Sequence, residues 1–140
     1  MATAPHPAGN PTESAAAALC RSYLAAFATG NADLVVAHVT HDFVNDHTAA
    51  LGHSFTGRDE YTRRVPGFLA SMPELRYDVE HVTAEGDSVW AAYTMRARVN
   101  DRDIALRGAM HFVVRDDLIA SRTDYWDSAV FQHQAGLGNE

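Results

Sequence analysis

Near Leu75 the hydrophobic period of this chain changes from that of a helix to that of a strand, and this change fixes the order of its elements. Before it, Tyr61, Val65, Phe68, Leu69 and Met72 recur at three, four and seven residues, on a helix starting near Asp59 that Pro66 is expected to kink or split. After it, alternation predicts strands over Leu75–Ala84, Val89–Val99, Ile104–Val114 and Leu118–Asp127. Between them lie the turns Glu85-Gly86-Asp87, Asn100-Asp101-Arg102 and Arg115-Asp116-Asp117. Turns this short join antiparallel neighbours. Helices followed by a meander predict an α+β fold in which a curved antiparallel β-sheet wraps three N-terminal helices and leaves a conical pocket.

The other two helices come first. Thr12 is read as the N-cap of a helix that Gly30 stops, with Leu19, Tyr23, Leu24 and Phe27 on one apolar face. Asn31 caps a second, short helix carrying Leu34, Val35 and Val39. The chain then turns into a strand at Phe43-Val44-Asn45-Asp46-His47, where acid, amide and imidazole crowd the mouth of whatever lies inside. An Asx turn explains the same residues equally well.

Strand parity sorts the later residues. Val89, Ala91, Tyr93, Met95, Ala97 and Val99 share what reads as the inner face, with Trp90, Thr94, Arg96 and Arg98 opposite. On the next strand Leu106, Gly108, Met110 and Phe112 read as inner and His111 as outer. In the last, Arg122, Asp124, Trp126 and Ser128 share one face. A carboxylate beside an indole is not something a plain apolar core requires, so Asp124 is either neutralised structurally by Arg122 or lines a cavity.

Composition bounds the partners. The 140 residues fit one domain, placed at 12–134 with tails at 1–11 and 135–140. A net charge of −7 and the absence of any basic run argue against nucleic acid. No apolar run approaches the roughly 18 residues a membrane span needs, and the first ten residues do not read as a secretory signal, so a cytoplasmic location is expected. Cys20 is the only cysteine and reads as a small buried hydrophobe on the first helix. The spacing of His41, His47 and His53 matches no zinc pattern, and His53 reads as solvated. Neither metal nor organic cofactor is expected.

These residues in this order resemble the nuclear-transport-factor-2-like superfold. The resemblance rests on the helix ending at Tyr23 to Gly30, the Phe43-Val44-Asn45-Asp46-His47 strand, the helix start at Gly57-Arg58-Asp59 and the terminal Asp124-Tyr125-Trp126-Asp127. It spans roughly Ala15 to Gln134. Within that superfold the chain is most similar to the SnoaL-like polyketide cyclases, with ketosteroid isomerase and limonene epoxide hydrolase as cousins. The resemblance implies that Tyr23 stands for an oxyanion-hole tyrosine, Asp46 for a general-base carboxylate, Trp126 for a pocket-wall aromatic and Asp124 for the cyclases' acid/base. The isomerase's second acidic donor would lie on the third long strand, where this chain has Leu106, Gly108 and Met110. The epoxide hydrolases' Arg-x-Asp appears as Arg96-Ala97-Arg98, an alignment that would turn Arg96 inward.

The expectation is therefore a cofactor-independent acid/base enzyme for a hydrophobic, carbonyl-bearing, polyketide-like substrate, cyclised, isomerised or dehydrated. Asp124 and Asp46 would be the carboxylates, with Tyr23, His47 and Arg122 polarising or orienting. Trp126, Asn45, Phe27, Phe68, Tyr93, Met95 and Met110 would bind substrate. Epoxide hydrolysis and a non-catalytic ligand-binding or dimerisation module are the alternatives. The outer sheet face, with Trp90, Thr94, Arg96, Arg98, His111 and Tyr125, is expected to pair two copies into a homodimer.

Overall fold

Ser14 opens the first helix, its hydroxyl accepting from the Ala17 amide at 3.1 Å. This computed structural model describes residues 13–137, so the expected Thr12 cap and the tail at 1–11 lie outside the described residues. Helix α1 spans Ala15–Ala26 and passes through a short 3₁₀ turn to Gly30, whose φ of 72° is the left-handed stop that glycine supplies without steric cost. Asn31 caps α2 (Ala32–Val36) as expected, its side chain accepting from the Leu34 amide.

Strand β1 runs over Val39–His47, four residues earlier than the sequence suggested, because Val39 is itself a core residue. A two-residue strand β2 (Phe55–Thr56) pairs with it. Helix α3 covers Arg58–Ser71 without interruption. Pro66 sits on its exposed side, where solvent can take up the carbonyl that proline leaves without a donor, so the expected split does not occur.

Four long strands follow: β3 Arg76–Glu85, β4 Ser88–Val99, β5 Arg102–Arg115 and β6 Leu118–Tyr125. They form an antiparallel meander in the order β6-β5-β4-β3. The sheet as a whole is mixed, because β1 joins the free edge of β6 in parallel, with Asn45 opposite Arg122 and His47 opposite Asp124. That parallel pair corrects the all-antiparallel expectation, and it brings the polar end of β1 beside the polar end of β6.

Alternation of faces holds in β4, although Thr94 on the outer side is itself covered, its hydroxyl donating to Glu80 at 2.6 Å. Val89, Ala91, Tyr93, Met95 and Ala97 are buried, while Trp90 and Arg96 are exposed. Arg96 pairs on the outer face with Asp78 at 2.7 Å, which excludes the inward placement that the epoxide-hydrolase alignment required. His111 also lies on the outer face, bonded to the Ser88 hydroxyl at 2.7 Å.

Strand β6 stops at Tyr125, not Asp127. Asp127 caps a fourth helix, α4 (Ser128–Ala135), by accepting from the Ala129 and Val130 amides, and Gly136 ends it at φ 71°. Ala135, assigned by sequence to the C-terminal tail, is fully buried. The core lies between the concave sheet face and α1 and α3, with Tyr23, Phe43 and Phe112 among its fully covered residues. Cys20 is wholly buried there too, and burial pushes its thiol up to about 12. No described helix is long and apolar enough to cross a membrane.

Candidate active site

The concave face is not filled. A cavity of about 560 Å³ opens between α3, α4, the Leu51–Phe55 loop and the sheet. Phe27, Val65, Phe68, Tyr77, Tyr93, Met95 and Leu106 make most of its wall apolar. Tyr93 leans over Gly108, where a Cβ would stand 2.5 Å from the tyrosine hydroxyl, so glycine is required for that ring to lie flat across β5. Its inner polar groups cluster where β1 and β6 run together, while Arg64 and His53 add polar groups from α3 and the adjoining loop.

There Arg122 and Asp124 meet at two points, Nε to Oδ1 at 2.9 Å and Nη2 to Oδ2 at 2.7 Å. Their side chains are 5% and 3% exposed, so both charges are out of water and each is compensated by the other. The remaining side of the guanidinium donates from Nη1 to the Tyr23 hydroxyl at 2.7 Å. Tyr23 in turn is hydrogen-bonded to the Tyr61 hydroxyl. Burial pushes both phenols upward, so they are neutral donors and acceptors throughout the physiological range.

His47 sits on the cavity side of this pair. Its Nδ1 lies 3.2 Å from Asp124 Oδ2 and 3.3 Å from the indole nitrogen of Trp126. One nitrogen therefore has two partners of opposite character. When protonated it donates to Asp124, and when bare it accepts from Trp126. Desolvation lowers the His47 pKa below the ordinary 6.5, against the opposing pull of Asp124, so the ring is neutral near pH 7. Gly52 allows the adjoining loop to close on this ring, since a Cβ there would lie 2.3 Å from His47 Cβ.

Asn45 completes the wall. It is 2% exposed, and its Oδ1 has no hydrogen-bond partner. A buried amide oxygen without a donor is uncommon and is a natural point for an N–H or O–H of a ligand to be read.

The structure thus places Asp124, Arg122, His47, Asn45, Trp126, Phe27, Phe68, Tyr93 and Met95 in the cavity lining. Three expected site residues are elsewhere. Asp46 is exposed on the opposite side of β1, accepting from the Ser54 hydroxyl at 3.3 Å, because Phe43 and Asn45 take the inward positions of the alternation. Tyr23 is completely covered behind Arg122, and its hydroxyl is spent on Arg122 and Tyr61. Met110, opposite Asp124 across the β5–β6 pairing, is wholly buried in the core and does not reach the cavity.

Sequence reading passed over Tyr61, Tyr77, Arg64 and Phe131, which do line the cavity. Tyr61 is visible in the sequence as the start of the α3 apolar stripe, whereas Phe131 lies on a helix for which the sequence reading gives no element between the last strand and the tail. His53, read as solvated, is exposed but stands at the cavity mouth. Among the described residues no cluster of three or more metal-ligating side chains occurs.

A mixed, curved six-stranded sheet closed on one face by helices, with a cavity on its concave side, defines a nuclear-transport-factor-2-like α+β protein. A family model described as a SnoaL-like domain matches residues 20–122, and the chain belongs to that family. A solved structure of a candidate polyketide cyclase from Xanthomonas campestris pv. campestris superimposes with a TM-score of 0.75 at 24% identity, covering 86% of this chain and 96% of the other. A hypothetical protein with a ketosteroid isomerase-like fold from Catenulispora acidiphila, in complex with trimethylamine, gives 0.78 at 19% identity, covering 86% and 93%. An epoxide hydrolase of the limonene type from M. tuberculosis gives 0.75 at 17%, covering 86% and 89%. Likeness at these identities establishes the fold. Comparison with proteins of curated function finds no match.

Proposed function

We propose that this protein is a cofactor-independent acid/base enzyme acting on a hydrophobic, carbonyl-bearing small molecule, with His47 rather than a second carboxylate as the proton carrier. One observation carries the reading: the His47–Asp124 contact at 3.2 Å stands in the wall of a mostly apolar cavity. In the tautomer that donates from Nδ1 to Asp124, Nε2 is the free base. It would take a proton from the carbon next to the carbonyl, and the electron pair would move onto the carbonyl oxygen. Arg122, whose terminal nitrogens each carry a second N–H, is the donor in this wall available to steady that oxygen. Return of the proton from His47 to another carbon gives isomerisation. Attack of the enolate carbon on a second carbonyl gives ring closure, with the proton on His47 passing to the new alkoxide oxygen. Neither route calls for a metal or an organic cofactor.

Related structures bear the names polyketide cyclase and epoxide hydrolase, which supports small-molecule chemistry on this fold. Opening an epoxide between two carboxylates is less well supported, since Asp124 is the one carboxylate lining the cavity among the described residues. The outer sheet face supports a homodimer as proposed from sequence. Trp90 and Tyr125 are 45% and 44% exposed, and their rings stack there at 5.7 Å. Light scattering at micromolar concentration giving a 15.3 kDa species would contradict the dimer.

Proton transfer is testable without knowing the natural substrate. 2-Tetralone in deuterium oxide loses its α-proton NMR signals at a rate set by the available base. The protein should accelerate that loss well beyond buffer, and an unchanged rate would contradict the reading.

A further inference from the structure

Arg64 stands at the cavity mouth with more charge than its surroundings neutralise. Its guanidinium lies 4.8 Å from the centre of the Phe55 ring, and its Nε donates to Glu60 Oε2 at 2.7 Å. Glu60 is shared, because its Oε1 also accepts from Nε and Nη2 of Arg63 at 3.1 and 2.6 Å. One carboxylate against two guanidiniums leaves a net positive charge at this end of α3. With Nε committed, the edge formed by the two terminal nitrogens of Arg64 has no protein partner among the described residues. That edge presents two parallel N–H donors, the geometry a carboxylate accepts at both oxygens.

The interior does not oppose an anion. Asp124 is the one carboxylate in the lining among the described residues, and Arg122 holds it by both oxygens. His53 also lines the cavity, and neither Asp46 nor Glu60 does. The chain as a whole carries a charge of −7, so an anionic ligand must be drawn by a local field rather than by the net charge.

We infer that the ligand of this cavity is an amphiphilic carboxylic acid, its ring body among Phe68, Tyr77, Tyr93 and Met95 and its carboxylate at the mouth on Arg64. This rests on the cavity being the ligand site proposed above, and it adds the substrate class. Phe55 below and Glu60 behind hold the guanidinium in place, so little rotamer freedom remains to be lost on binding.

Matched probes test it. Titration calorimetry with 2-naphthoate and the neutral 2-naphthamide should show the acid binding about tenfold tighter, with the margin shrinking at high salt. Arg64→Gln should bring the two to parity, Arg64→Lys should keep part of the preference, and Glu60→Gln should widen it. His47→Gln should leave the preference intact, which separates this inference from the proposed chemistry. Equal affinities in the unmodified protein, no binding of 2-naphthoate, or a preference that survives Arg64→Gln would each overturn it.

Discussion

Arg122 and Asp124, two residues apart on one strand, close a two-point ion pair whose partners are both out of water, and that pair also forms part of the cavity wall. Structural neutralisation and cavity lining are therefore not alternatives here. The pair leaves Asp124 Oδ2 within 3.2 Å of His47, so the carboxylate both satisfies Arg122 and orients a base.

This double role shapes what Asp124→Asn will do. Removing one partner strands a buried guanidinium, a loss of about 3–5 kcal/mol of stability. Replacing both, as Arg122→Met with Asp124→Leu, should cost clearly less than the sum of the single changes, because no charge is left alone. Urea denaturation of the four proteins in the cycle measures this. Additive losses would show that the pair is not coupled.

The lowered pKa of His47 sets a pH dependence whose sign can be worked out. The unfolded chain takes up a proton near 6.5, while the folded protein resists it because the ring is desolvated. Stability is therefore full above that value and falls as pH drops through 6.5, levelling off once the folded ring is also protonated. Asp42, Glu60 and Asp78, held below their ordinary values chiefly by hydrogen bonds from arginine partners, and Glu80, held down first by the Thr94 hydroxyl and then by Arg107, lose their contribution only at lower pH. Melting temperature followed from about pH 7.5 to pH 5 should fall in the parent protein and stay flatter in His47→Gln. Parallel curves would contradict the burial of this ring.

Gly52→Ala should harm function through position alone. Its new Cβ would need the space 2.3 Å from His47 Cβ, so loop and ring must separate, at about 1–3 kcal/mol in stability. The 2-tetralone exchange rate should fall while far-UV circular dichroism is unchanged. An unaltered rate would mean that the loop yields without moving the ring.

How much of this was legible in the sequence depended on whether the determining contacts were local. The faces of β4 followed from alternation because its apolar residues fix its parity, whereas in β6 a register shift at Ala120 turns both Ile119 and Arg122 inward, and alternation holds only from Arg122 to Asp124. The same rule applied from Phe43 puts Asn45 and His47 inward and Asp46 outward, yet the family resemblance drew attention to Asp46. The parallel pairing of β1 with β6 joins residues such as His47 and Asp124 that lie far apart in sequence, and no local pattern announces it. Helix α4 had its signal in Asp127 as cap and Gly136 as stop, but the preceding strand reads smoothly into it. Tyr61 looked like an ordinary member of an apolar stripe, while the resemblance marked Tyr23 as an oxyanion-hole tyrosine. Only their shared hydrogen bond and the guanidinium behind it show which ring faces the cavity.

The central claim is that the proton carrier is His47 on the inner side of β1 and not Asp46 on its outer side. α-Proton exchange of 2-tetralone measured side by side for the parent protein, His47→Gln and Asp46→Asn decides it. The account predicts a fall of about 100-fold or more toward the buffer rate for His47→Gln and no significant change for Asp46→Asn. Loss of exchange in Asp46→Asn, with His47→Gln unaffected, would contradict it.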